Sequence, residues 1–120
     1  MTEIVDSVDT RHDLISSLRV EGTVVYDRRA EKIGKVHSVM FDKRTGQIAY
    51  AVLWFGGFLG FASRVYPIPW GMLTYDPGLR GYTVELTREQ VEAAPYMELD
   101  KADRPRETAE PVYRHWDEFM

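Results

Sequence analysis

The stretch from residue 34 to residue 70 constrains the fold more than any other part of this 120-residue sequence. It contains an alternating segment, a tight glycine turn, a segment that is apolar on both faces, a glycine-rich corner and a short segment with two prolines. Because these features follow one another with almost no linker, the pattern is typical of a small curled β-sheet. The sequence therefore indicates an architecture, and it does not point to a reaction.

The segment 47–55 sets the strongest requirement on that sheet. Its two alternating sets of side chains are both apolar, namely Ile48, Tyr50, Val52 and Trp54 against Ala49, Ala51, Leu53 and Phe55. A strand of this kind is covered on both sides. For a single sheet this predicts a closed or half-closed barrel, whose outer side is covered by a helix, a tail or another subunit.

Four further strands are predicted at 23–26, 35–41, 64–69 and 82–86. Pro67 and Pro69 cannot donate to a ladder, so we expect the strand 64–69 at an edge or at the barrel seam. Asp42 is expected to cap the following hairpin turn, with Gly46 in the left-handed conformation. Thr87 and Gln90 predict a capping box for a short helix that Pro95 ends.

Two expectations concern the direction of side chains. Strict alternation places His37, Val39 and Phe41 on one face of the second strand and Val36, Ser38 and Met40 on the other. A short turn over 14–20 is expected to deliver Leu14, Ile15 and Leu18 to the core.

The predicted organisation is a leader over 1–13, a barrel domain over 14–97, and a polar linker with an amphipathic tail over 98–120. In the tail, Val112, Tyr113, Trp116 and Met120 fall at helical spacing, so that segment must dock on another surface. Deletion of 98–120 is expected to leave the barrel folded and to alter its assembly.

Composition limits the chemistry. The chain has no cysteine, which excludes disulfides, thiolate metal sites and cysteine nucleophiles and fits a reducing compartment. The three histidines have no metal-ligand spacing, so we expect no metal, no cofactor and no enzymatic activity. The acidic start and the short, glycine-broken apolar run at 49–62 predict a cytoplasmic protein without membrane insertion.

Basic residues lie at both ends of the second strand. Arg28, Arg29 and Lys32 precede it, and Lys43 and Arg44 follow it, roughly 25 Å away at ~3.3 Å per residue. This separation disfavours one compact nucleic-acid patch.

Several motifs together resemble the PRC-barrel family, and the chain is similar to its stand-alone bacterial members. They are GTVVYD at 22–27, IGKV at 33–36, DKRTGQ at 42–47, AYAVL at 49–53, FGGFLG at 55–60 and PIPW at 67–70. The family is named for the cytoplasmic domain of the photosynthetic reaction-centre H subunit, and it includes a domain of a ribosome-maturation factor. The resemblance implies a mainly β fold, a small barrel of five to six strands with a short C-terminal helix, used as a protein-binding adaptor without catalytic residues.

The chain carries more large aromatic and aliphatic side chains near the glycine corner and in the tail than a small barrel can bury. The candidate interface residues are Trp54, Phe58, Leu59, Phe61, Tyr66, Tyr113 and Trp116. Either the tail covers this surface within one subunit, or a second subunit does, in a homodimer with or without exchanged tails. The leading hypothesis is a homodimeric, non-enzymatic adaptor for an unknown protein partner. The alternatives are a ribosome- or RNA-associated assembly factor and an accessory subunit of an electron-transfer complex.

Overall fold

The computed structural model describes residues 14–55, 64–99 and 114–117. The helical segments in these ranges are α1 (Ser17–Val20), a 3-10 turn (Trp70–Met72), α2 (Arg88–Glu92) and α3 (114–117). The strands are β1 (Val24–Tyr26), β2 (Lys32–Phe41), β3 (Ile48–Phe55), β4 (Arg64–Pro69), β5 (Leu73–Asp76), β6 (Gly81–Val84) and β7 (Met97–Glu98).

These strands form one seven-stranded sheet in the order β5-β6-β1-β2-β3-β4-β7. Neighbours are antiparallel except for β1 and β6, which run parallel. Within the described ranges the sheet is curled and not closed, and β5 and β7 are its two edges. The mainly β, barrel-like fold is confirmed. The count of five to six strands was too low, because the short strands β5 and β7 carry too few residues to show a period.

Strand β3 is covered on both faces, as its sequence predicted. Ala51 and Leu53 belong to the main core inside the curl, whereas Tyr50 and Val52 belong to a second cluster with Val65. The main core also takes side chains from α1, β1, β2, β4, β6, α2 and α3, so the curl of the sheet encloses it.

The predicted alternation along β2 is wrong. Its pairing with β3 shifts between Val36 and Ser38, which marks a β-bulge. An extra residue in one strand reverses the faces that follow it. Val36 and Val39 consequently both pack on the main core, and Met40 packs on the second cluster.

The expectation that α1 delivers three aliphatic residues to the core is also wrong. Leu14, Ile15 and Leu18 are 80%, 48% and 79% exposed, and only Val20 of this segment is buried. The helix has a single turn, and the Oγ of Ser16 accepts a hydrogen bond from the Leu18 N–H at its start. One short turn can aim only one side chain at the sheet before the chain turns into β1.

The predicted turns are confirmed. The Asp42 carboxylate accepts hydrogen bonds from the N–H groups of Arg44 and Thr45 at 2.8 and 3.1 Å. Gly46 has φ of 79°, a left-handed conformation that glycine adopts at no steric cost. At α2, Thr87 and Gln90 exchange both hydrogen bonds of the capping box.

The edge expected at the prolines is present in part of β4. Strand β7 pairs only with Arg64 and Val65, so Pro67 and Pro69 have β3 as their strand neighbour on one side and no strand of the described ranges on the other. Glu98 lies in β7, so the sheet extends one residue into the stretch predicted as linker.

Candidate interaction surface

Three of the seven predicted interface residues fall in the described ranges, and the structure separates them. Trp54 is 37% exposed, whereas Tyr66 and Trp116 are 8% and 0% exposed. Phe58, Leu59, Phe61 and Tyr113 lie outside the described residues.

Trp54 lies near the end of β3, on the outer face of the sheet. It stands opposite Lys35 on β2 and Val65 on β4. The His37 ring packs against its indole edge-to-face, with the ring centroids 4.8 Å apart and the planes at 79°. This contact favours the observed orientation of the indole, because edge-to-face is one of the preferred geometries of an aromatic pair.

The β-bulge brings these two rings together. His37 is the residue that the pairing of β2 with β3 skips, between the pairs Val36–Leu53 and Ser38–Val52. The histidine Nδ1 is 2.9 Å from the Ser38 Oγ, which further holds the ring. Nothing in the sequence predicts this arrangement, since strict alternation places His37 on the same face of the second strand as Val39 and Phe41.

Helix α1 lies beside the same part of β2. The N–H of Gly22, just after the helix, donates to the Val36 carbonyl at 2.7 Å. Leu14, Ile15 and Leu18, in and just before α1, are exposed, and the Trp54–His37 pair lies on the strands β2 and β3. We call these five residues the α1–Trp54 surface. Sequence reasoning missed its aliphatic part because it assigned those residues to the core.

Tyr66 belongs to the main core, but its ring meets a more exposed neighbour. Its centroid is 6.0 Å from that of Tyr96, which is 44% exposed. The guanidinium carbon of Arg64 lies 4.3 Å from the Tyr96 ring centroid, a cation–π geometry. Tyr96 was not among the predicted interface residues, since it follows Pro95 in a segment without periodicity.

Trp116 is a core residue within this chain. Its side chain belongs to the main core, and its Nε1–H donates to the carbonyl oxygen of Pro67 at 2.9 Å. The described part of the tail therefore packs on its own barrel.

Two acidic side chains, those of Asp27 and Asp76, have structural roles at turns. Asp27 is buried, and its Oδ1 accepts hydrogen bonds from the N–H groups of Arg29 and Glu31 at 2.8 and 2.9 Å. Asp76 holds the turn between β5 and β6 in the same way. Over 14–55, 64–99 and 114–117, no three His, Asp or Glu residues are grouped so as to hold a metal ion.

Burial, and the nearby Tyr75 hydroxyl, raise the pKa of Tyr82 above its usual range. This shift accompanies the packing of Tyr82 in the core. None of the helices in the described ranges is both long enough and apolar enough to cross a membrane.

Comparison with protein families gives one match, to the PRC-barrel domain over residues 12–91. This range is two-thirds of the chain, and it extends from just before α1 into α2. Strand β7 and helix α3 lie beyond it. A comparison with curated proteins finds no match.

Proposed function

Because the chain belongs to the PRC-barrel family, we propose that it is a non-enzymatic protein-interaction module that pairs with a second copy of itself through the α1–Trp54 surface. The observation that carries this proposal is the exposed Trp54, held in a fixed orientation by His37. The cytoplasmic location expected from the sequence belongs to the same proposal.

An oriented, half-exposed indole is suited to anchor a protein contact. Tryptophan is enriched among the residues that contribute most to interfaces, because its large flat surface is buried at a low cost in side-chain entropy. His37 already restricts the Trp54 ring, so less conformational freedom is lost when a partner covers it.

One indole does not supply a stable interface, which buries about 800 Å² on each partner. Leu14, Ile15 and Leu18, in and just before α1, would add exposed apolar area to the proposed contact. A two-fold contact would use each of these groups twice, since the same surface serves both copies. This favours a second copy as the partner.

The test is sedimentation equilibrium of Trp54→Glu beside the parent protein. We expect the parent to dimerise with a measurable dissociation constant, and Trp54→Glu to raise that constant at least tenfold, because the substitution places a charge at the centre of the contact. The matched control is Phe41→Glu. Phe41 is 52% exposed on the same β2–β3 hairpin, and it lies at the opposite end of β2.

Equal weakening by both substitutions, or a monomeric parent at millimolar concentration, would contradict the proposed pairing. Recovery of ribosomal particles or RNA that weakens steeply with salt would favour the assembly-factor alternative instead. The electron-transfer alternative remains a prediction from the family resemblance alone.

A further inference from the structure

The side chain of Trp116 fills a slot in the barrel beside the Pro67 carbonyl, although Trp116 lies outside the family domain. The family match ends at residue 91, whereas Trp116 is fully buried in the main core. The other members of this core come mostly from the barrel, whereas Trp116 comes from α3, a helix of four described residues.

The slot contains a specific polar contact. Pro67 is buried, and its carbonyl accepts a hydrogen bond from the indole N–H of Trp116 at 2.9 Å, in the part of β4 beyond the two residues that pair with β7. Proline offers no N–H, so an added strand could not form a full ladder here. A buried carbonyl that needs a donor, next to the apolar side chains of the main core, fits a single indole better than it fits a strand.

We propose that this slot is a recognition site for an indole carried on a short peptide segment, and that the chain's own tail occupies it as a replaceable intramolecular ligand. The occupant is the segment around Trp116, in the same molecule or delivered by a second one. This site is separate from the α1–Trp54 surface, and neither proposal depends on the other.

The length of the connection supports replacement. Fourteen residues, 100–113, join Leu99 to α3. A chain of that length can span about 45–50 Å when extended, and the longest dimension of the molecule is 43 Å. The covalent link therefore does not dictate which copy supplies the indole.

The link does give the tail of the same molecule an advantage. A tethered ligand acts at an effective concentration on the order of millimolar. To displace the tail of the parent protein, a free peptide must be present above that effective concentration. Binding of the peptide therefore becomes measurable when the tethered indole is removed.

The experiment uses full-length Trp116→Ala and a synthetic peptide of residues 111–120, PVYRHWDEFM, followed by calorimetry. We expect the peptide to bind Trp116→Ala at least tenfold more tightly than the parent. The same peptide carrying Trp116→Phe should bind at least tenfold more weakly, because it lacks the N–H donor for Pro67. Equal affinity for the parent and the variant, or no binding to the folded variant, would overturn the proposal.

Two further variants keep the test decisive. Full-length Trp54→Ala removes a tryptophan but leaves the slot filled, so it should bind the peptide no better than the parent does.

If Trp116→Ala is partly unfolded, full-length Trp116→Phe serves in its place. Its thermal midpoint should rise with added peptide, since a ligand of the folded state stabilises it. A midpoint that the peptide does not change would contradict the proposal.

Discussion

At the scale of single residues, two tryptophans of one predicted surface have opposite environments. Trp54 is 37% exposed on the outer face, and Trp116 is fully buried with its N–H bonded to Pro67. Their hydrophobicity is the same, so composition cannot distinguish them. The difference arises from long-range packing, because the partner of Trp116 lies 49 residues earlier in the chain.

Substitutions at these two tryptophans should therefore differ in their effect on stability. We expect Trp116→Ala to lower the free energy of unfolding by about 3–5 kcal/mol through loss of a core side chain. Trp116→Phe should lower it by about 1–3 kcal/mol, since the buried Pro67 carbonyl loses its donor. Trp54→Phe is the control, with a change within about 0.5 kcal/mol. Urea unfolding followed by circular dichroism measures the free energy of unfolding of all three variants. Equal decreases at the two positions would contradict the burial of Trp116 and the exposure of Trp54.

The aliphatic residues of α1 give a second residue-scale prediction. Leu18→Lys should change the free energy of unfolding by no more than about 0.5 kcal/mol, because its side chain is 79% exposed. Val20→Ala, two positions away, should lower it by about 1–3 kcal/mol, since Val20 is buried. A large decrease in the free energy of unfolding of Leu18→Lys in the same urea measurement would support the sequence-based prediction that this leucine enters the core.

At the scale of elements, the close approach of β1 and β6 joins the β5–β6 hairpin to the rest of the sheet. A Cβ atom at Gly81 would lie 2.5 Å from the Val24 carbonyl oxygen and 2.9 Å from the Tyr26 ring. The obstacle is the backbone of a neighbouring strand, which cannot move without breaking the parallel pairing of β1 with β6.

Gly81→Ala should consequently destabilise the protein, by about 2–4 kcal/mol, as expected for overpacking against backbone. The matched control is Gly71→Ala, where an added Cβ meets nothing within 4 Å. Thermal unfolding of both variants measures the difference. If both were as stable as the parent, the β1–β6 contact would not be as close as described.

The elements also show which features a sequence can predict. The Asp42 turn and the capping box of Thr87 were predicted because each depends on residues only a few positions apart. The double coverage of β3 followed from its composition. The faces of β2 were not predicted, since a bulge depends on pairing with a second strand. The exposure of α1 and the burial of Trp116 depend on tertiary contacts, which leave no local pattern.

At the scale of the whole molecule, the tail is part of the fold as well as a candidate ligand. Trp116 lies in the main core and Glu98 lies in β7. The sequence predicts that a barrel without 98–120 stays folded. These positions predict that it does so with a lower free energy of unfolding, since the deletion would open the slot and shorten the edge strand. Assembly is therefore best tested with substitutions in the intact chain.

The central claim is that Trp54 faces a second copy while Trp116 stays in the core of its own barrel or of an exchanged one. The most direct measurement is ¹⁹F NMR of the 5-fluorotryptophan-labelled protein, assigned with Trp→Phe variants, in H₂O and D₂O at low and high protein concentration. We expect a solvent isotope shift for Trp54 that shrinks as concentration rises, and none for Trp116 at either concentration. A Trp54 shift that does not depend on concentration, or a solvent-exposed Trp116, would contradict it.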